Sequence, residues 1–148
     1  MKNILKKFKI NYLTYFLLVI CFFTGLFKNI IIIFLIVLIH EIGHIFFVKR
    51  LRYIINKIEI YPFGGITEIQ KDINTAINHD LLIACGGFIF QLFLWLVFFI
   101  FQEFSLINYS TYKMFQTYNY SIMFFNLLPI IPLDGYIILK SLLEKKLS

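Results

Sequence analysis

The residues of this chain best placed to do chemistry are His40-Glu41-Ile42-Gly43-His44. On a helix, positions i and i+4 project from one face, so His40 and His44 can bind a single Zn²⁺ through two imidazoles. Glu41, next to one ligand, then stands near the metal without having to bind it, where it can act as general base on a hydrolytic water. A catalytic zinc site has three protein ligands and one open position, so a third ligand must come from elsewhere. Two residues qualify. His79 lies at a polar boundary beside Asp80, where an exposed histidine is ordinary. Asp134 follows Asn126-Leu127-Leu128-Pro129-Ile130-Ile131-Pro132-Leu133, an apolar setting in which a carboxylate needs charge compensation. Asp134 is the favoured third ligand. The competing reading makes it the N-cap of a helix beginning at Gly135, and one carboxylate could serve both roles. Asn126, by itself, reads as a helix-breaking cap or an interhelical hydrogen bond. A structural alternative for the triplet is a buried hydrogen-bonded His/Glu cluster that ties helices together.

The elements that position these residues are apolar. Of the 148 residues, 60% are hydrophobic and only 15% charged, against roughly 45–50% and 25% in soluble domains. That excludes an ordinary soluble domain, and also a disordered chain, which needs low hydrophobicity. Four apolar runs predict an all-α polytopic membrane protein, a single domain over 1–148, with spans at about 10–27, 30–48, 81–101 and 118–143. The first run has no small-x-small cleavage pattern and reads as a retained span. The last is broken by Pro129 and Pro132, a break tolerated in lipid only where it is buried in protein or lines a wet cavity. Between the second and third spans, Lys57–Tyr61 and Ile66–Gln70 alternate polar and apolar residues around Pro62-Phe63-Gly64-Gly65. This predicts a short membrane-associated β-hairpin. Cys21 and Cys85 lie in apolar runs and read as small core hydrophobes.

His40, Glu41 and His44 fall inside the second span, where each ionisable side chain costs roughly 2.5–3.5 kcal/mol to insert. Three in five residues need a partner such as a metal ion. The net charge of +6 does not indicate a nucleic-acid partner, because so apolar a chain has too little polar surface for a basic face. Lys and Arg report orientation instead. Segments 1–9, 49–80 and 140–148 carry four, five and three of them, whereas the two remaining turns hold only Lys28 and Lys113. The positive-inside rule then puts both termini in the cytoplasm. His44 and His40 lie about 6 and 12 Å from Val48 along the helix, which places the site toward the cytoplasmic side of the cell membrane.

The pair of motifs, HEIGH in one span and NLLPIIPLDG in a later one, resembles the site-2 protease family of intramembrane zinc metalloproteases, and most closely its stage IV sporulation protein FB branch. The resemblance covers about Ile30 to Leu143. It implies zinc bound by His40, His44 and Asp134, Glu41 as general base, and Asn126 as a substrate-holding amide. It implies regulated intramembrane proteolysis of a membrane-embedded or membrane-associated protein, with the lipid bilayer and regulatory or inhibitory membrane proteins as partners. The branch points to a sporulation sigma-factor precursor; signalling-peptide or anti-sigma-factor cleavage are the other substrate readings. Tyr61-Pro62-Phe63-Gly64-Gly65 resembles the family's membrane-associated hairpin, and Ala84–Gln91 its Gly-Pro-rich helix motif. Phe88 stands where that motif has proline, Gln91 where it often has asparagine, and Tyr136 where a second glycine is common. No CBS or PDZ domain is expected within the 148 residues. The rival from another class is a non-catalytic membrane metal-binding or transport protein, since transporters also bury His, Glu and Asp.

Overall fold

In the computed structural model, which describes residues 8–61, 64–70 and 77–147, extended and helical segments alternate. The order is β1 (Phe8–Ile10), α1 (Tyr12–Phe23), α2 (Phe27–Arg50), β2 (Ile54–Tyr61), β3 (Gly64–Gln70), α3 (Ile77–Glu103), α4 (Tyr109–Asn126) and α5 (Asp134–Leu147).

The first apolar run is not one continuous helix. Asn11 caps α1, its side-chain oxygen accepting from the Leu13 N–H at 3.0 Å. The helix stops at Thr24-Gly25, where Gly25 takes φ 75°, a left-handed conformation open to glycine at little cost. Twelve helical residues rise about 18 Å, short of a hydrocarbon core of about 30 Å. The expected span at 10–27 thus holds the end of a strand and a short helix, with a turn before α2. Apolarity alone could not distinguish the two, because the deciding residues are the polar cap and the terminal glycine. The expected span at 118–143 likewise divides into α4 and α5, with residues 127–133 between them. There Pro129 and Pro132 have no N–H to continue a helix. Among the described residues, α2 and α3 are the two helices long and apolar enough to cross a membrane.

The predicted hairpin is part of a larger sheet, so the fold is not purely helical outside two strands. β3 runs antiparallel to β2, with Tyr61 opposite Gly64 and Ile58 opposite Thr67, and an irregularity between Ile55 and Lys57. β1 adds on the other side of β2 in parallel, Phe8 opposite Ile58 and Ile10 opposite Ile60. The outer edge of β2 is thus closed, and β3 carries a free edge among the described residues. Pro62 and Phe63, read from the sequence as part of the turn, lie outside the described residues.

Two apolar clusters bracket the middle of α2. Toward its C-terminus, Ile45 and Val48 pack with Ile55 and Ile58 of β2 and Ile83 of α3. Toward its N-terminus, Ile32 and Ile36 pack with Leu94 of α3 and Phe115 of α4. There the Phe98 and Phe115 rings stack with centroids 3.8 Å apart. His40 to His44 lie between these clusters, held from both ends. The α2–α3 crossing is closest at two glycines. A Cβ on Gly43 would run into the Gly86 backbone, and one on Gly86 would lie 2.7 Å from the Gly43 carbonyl oxygen. Small residues let helix backbones approach where lipid offers no hydrophobic drive to association. Gly43→Ala is expected to destabilise the fold by about 1–3 kcal/mol, the usual cost of overpacking. Thermal unfolding in detergent measures this, and an unchanged midpoint would contradict the tight crossing.

Candidate metal centre and catalytic cleft

Two helices far apart in sequence bring three ligand atoms to one point. His40 Nε2 lies 3.0 Å from His44 Nε2, both on the inner face of α2. Asp134, the first residue of α5, places Oδ2 2.9 Å from His40 Nε2 and 3.3 Å from His44 Nε2. His40 and His44 are buried, and Asp134 nearly so. The break before α5 makes this reach possible. Gly135 packs so tightly on the Leu127 and Leu128 carbonyls that a Cβ has no room, which turns the chain back and points Asp134 inward. The positive end of the α5 dipole also favours a carboxylate there.

The protonation of these atoms follows from what lies behind them. His40 Nδ1 is 2.9 Å from Gln91 Oε1, and His44 Nδ1 is 2.8 Å from the Ile83 carbonyl oxygen. Both partners can only accept, so each neutral ring carries its proton on Nδ1 and turns a bare Nε2 lone pair inward. Two lone pairs and a carboxylate oxygen then face one another at 2.9–3.3 Å with no donor between them. Such a set repels itself unless a proton or a metal cation sits among the three atoms, and a divalent cation engages all three at once. A tetrahedral ion with bonds of about 2.1 Å holds its ligands about 3.4 Å apart, close to these separations. The donor set of two imidazoles and one carboxylate oxygen is one zinc accepts at catalytic sites. The residues present therefore fit a divalent ion.

Gln91 and Asn119 extend the site beyond the ligands, and the sequence reading gave neither a role. Both are fully buried. Gln91 Nε2 donates to Asn119 Oδ1 at 3.4 Å, and Asn119 Nδ2 contacts Met123 Sδ at 3.9 Å. All donors in this row point away from His40, which fixes its tautomer. For Gln91 the available signal was a single amide within the apolar run 81–101, expensive in lipid unless it has work to do. Asn119 sits in a helix rich in polar residues, Gln116 and Asn126 among them, and gave no such signal. Gly87 gives the His40 ring its place against α3, since a Cβ there would collide with the imidazole.

Glu41 is buried one residue from the first ligand, and its Oε1 accepts from the Gly65 N–H of β3 at 3.0 Å. Together these groups line a cleft of about 430 Å³, which also includes Thr67, Asn126 and Ile137. The cleft joins the sequence-read residues Glu41, Asn126 and Asp134 in one space. Asn126 ends α4, and its Nδ2 donates back to the Ile122 carbonyl at 3.1 Å. His79, the other ligand considered, bonds the Tyr53 hydroxyl at 2.8 Å and is not among the converging atoms.

Comparison with known proteins agrees with this arrangement. The model of peptidase family M50 matches residues 28–109. Stage IV sporulation protein FB of Bacillus subtilis (strain 168) is 31% identical over 124 residues, covering 84% of this chain and 43% of that protein. The chain thus spans less than half the length of that relative. The site-2 protease from Methanocaldococcus jannaschii has a structure similar to this one at a TM-score of 0.74 and 27% identity, over 94% of this chain and 68% of that one.

Because the Gln91 carbonyl keeps the His40 proton on Nδ1, Gln91→Leu is expected to weaken zinc binding about 10–100-fold. Competition with a chromophoric chelator measures this. An unchanged affinity would show that Gln91 only fills space.

Proposed function

The chain belongs to peptidase family M50, the site-2 protease family, and from that premise we propose that it is an intramembrane zinc metalloprotease cleaving membrane-embedded or membrane-associated proteins. One observation carries the reading: three inward-facing ligand atoms converging on one point, beside a buried carboxylate in an open cleft. His40, His44 and Asp134 hold zinc, and Glu41 is the general base. The matched family is one of peptidases, which favours hydrolysis over the non-catalytic metal-binding or transport reading.

Bound there, zinc supplies a Lewis acid that polarises the scissile carbonyl and lowers the pKa of a water toward about 7. Glu41 removes the proton from the attacking water and delivers it to the departing amine. Its Oε1 is engaged by Gly65, so Oε2 is the oxygen left to handle that proton. Asn126, at the cleft wall, offers its side-chain oxygen and the second N–H of Nδ2 to substrate backbone, the first N–H being donated to Ile122. The cleft walls keep the reaction apart from lipid.

A substrate helix hides its peptide bonds in i to i−4 pairing and must unwind before attack. The free edge of β3 can hold the unwound segment by strand addition, whereas the edge of β2 is occupied by β1. The lysine and arginine distribution supports a multi-pass protein with both termini in the cytoplasm and the cleft toward that side. Similarity to stage IV sporulation protein FB supports a substrate linked to sporulation, with a sigma-factor precursor as the specific reading.

Glu41→Gln keeps the ligands and removes the base. It is expected to retain zinc and to cleave at least about 100-fold more slowly. Comparing membrane proteomes of parent and Glu41→Gln cells should reveal a precursor that persists only in the variant. A Glu41→Gln protein that still processes that precursor contradicts the mechanism.

A further inference from the structure

The contact between Gly65 and Glu41 says more about the free edge of β3 than that it is unpaired. In an antiparallel pair each residue turns both its N–H and its C=O toward the partner strand, or both away. Gly65 stands opposite Ile60, yet its N–H goes to Glu41 Oε1. It therefore faces away from β2. Thr67, two residues on in unbroken register, faces the same way. Glu41 thus occupies the first outward donor of the free edge, and the backbone of Thr67 offers the next. The Thr67 hydroxyl is buried without a hydrogen-bond partner among the described residues and lines the same cleft.

The close approach depends on the absence of one side chain. A Cβ on Gly65 would overlap the Glu41 carboxylate stem, lying 2.6 Å from Cγ and 2.8 Å from Oε1. At neighbouring Gly64 a Cβ meets nothing within 4 Å. The two glycines of one turn therefore differ sharply in what they touch.

We propose that Gly65 is a positioning residue for the base. Its N–H fixes the Glu41 carboxylate at the head of the open β3 edge, so that an extended segment pairing with Thr67 arrives in a set register. The inference rests on the proteolytic reading above, because it assigns Glu41 the role of base. At about 3.3 Å per residue, a segment paired with Thr67 carries the peptide bond about two residues along to the carboxylate. Substrate docking and base alignment are thereby performed by one strand, through different residues. Thr67 holds the segment, and Gly65 holds the base.

The test uses the full zinc-loaded chain in detergent, with a dye-quenched unfolded protein as substrate probe. Gly65→Ala is expected to lower kcat at least tenfold, with KM and zinc content within twofold of the parent. Gly64→Ala should stay within twofold in all three. Thr67→Pro removes an outward N–H that the β2–β3 ladder does not use, and should raise KM severalfold while leaving kcat within twofold. The proposal is overturned if Gly65→Ala cleaves like the parent, if it changes KM alone, or if Gly64→Ala loses as much. An unchanged KM in Thr67→Pro overturns the register. Should Gly65→Ala fail to fold or to hold zinc, adding Glu41→Ala clears the overlapping atoms and is expected to restore melting temperature and zinc content. Failure to restore them overturns the contact as the cause. Loss of the parent reading shows differently, as cleavage that survives Glu41→Gln.

Discussion

Three ligand atoms aimed at one point, with the far nitrogen of each imidazole held by an acceptor, form the constraint on which the rest of this structure depends. Two imidazole nitrogens and a carboxylate oxygen at 2.9–3.3 Å are a repulsive set in an apolar interior, where charge and dipole interactions are poorly screened. A divalent cation turns the same set into a binding site. The surrounding architecture keeps those lone pairs exposed to one another. Gln91 and the Ile83 carbonyl hold the ring protons on the far side, two apolar clusters fix α2 at both ends, and the Gly43–Gly86 crossing brings α3 close enough to supply both acceptors.

The third ligand illustrates how a helix break serves chemistry. Residues 127–133 give up regular helical hydrogen bonding, and the chain gains the freedom to turn Asp134 inward at the start of α5. The same break leaves Asn126 at the cleft wall. Opposite it, β3 brings backbone rather than side chain to Glu41. Helices therefore supply the ligands, while the irregular segment and the sheet supply access. That division suits the proposed cleavage of unwound membrane substrates, with one rigid wall and one that can receive extended chain.

Much of the site was legible from the sequence because its residues violate the pattern around them. His40, Glu41 and His44 stand out in an apolar helix, and Asp134 stands out after two prolines, so the cost of burial alone marks them. Gln91 carries the same signal more faintly, since an uncharged amide is cheaper to bury, and Asn119 carries none, because its helix holds other amides and hydroxyls. The fold was legible only where periodicity decides it. Two long helices and the alternating strands followed from apolar runs and period-2 patterning. The division of residues 10–27 did not, because Phe8–Ile10 becomes a strand only by finding β2 more than forty residues away. Gly65 could not be identified from composition either. Its importance lies in a missing Cβ facing a carboxylate from another element, and only coordinates reveal that.

The central claim is that one divalent ion is held by His40, His44 and Asp134. It is tested most directly by elemental analysis and zinc-edge X-ray absorption on the purified full chain, with Asp134→Ala beside it. The account predicts one zinc per chain, two imidazole nitrogens in its first coordination sphere, and loss of most of the metal in Asp134→Ala. A chain purified without metal that takes up none, or an Asp134→Ala protein that holds zinc as tightly as the parent, would contradict it.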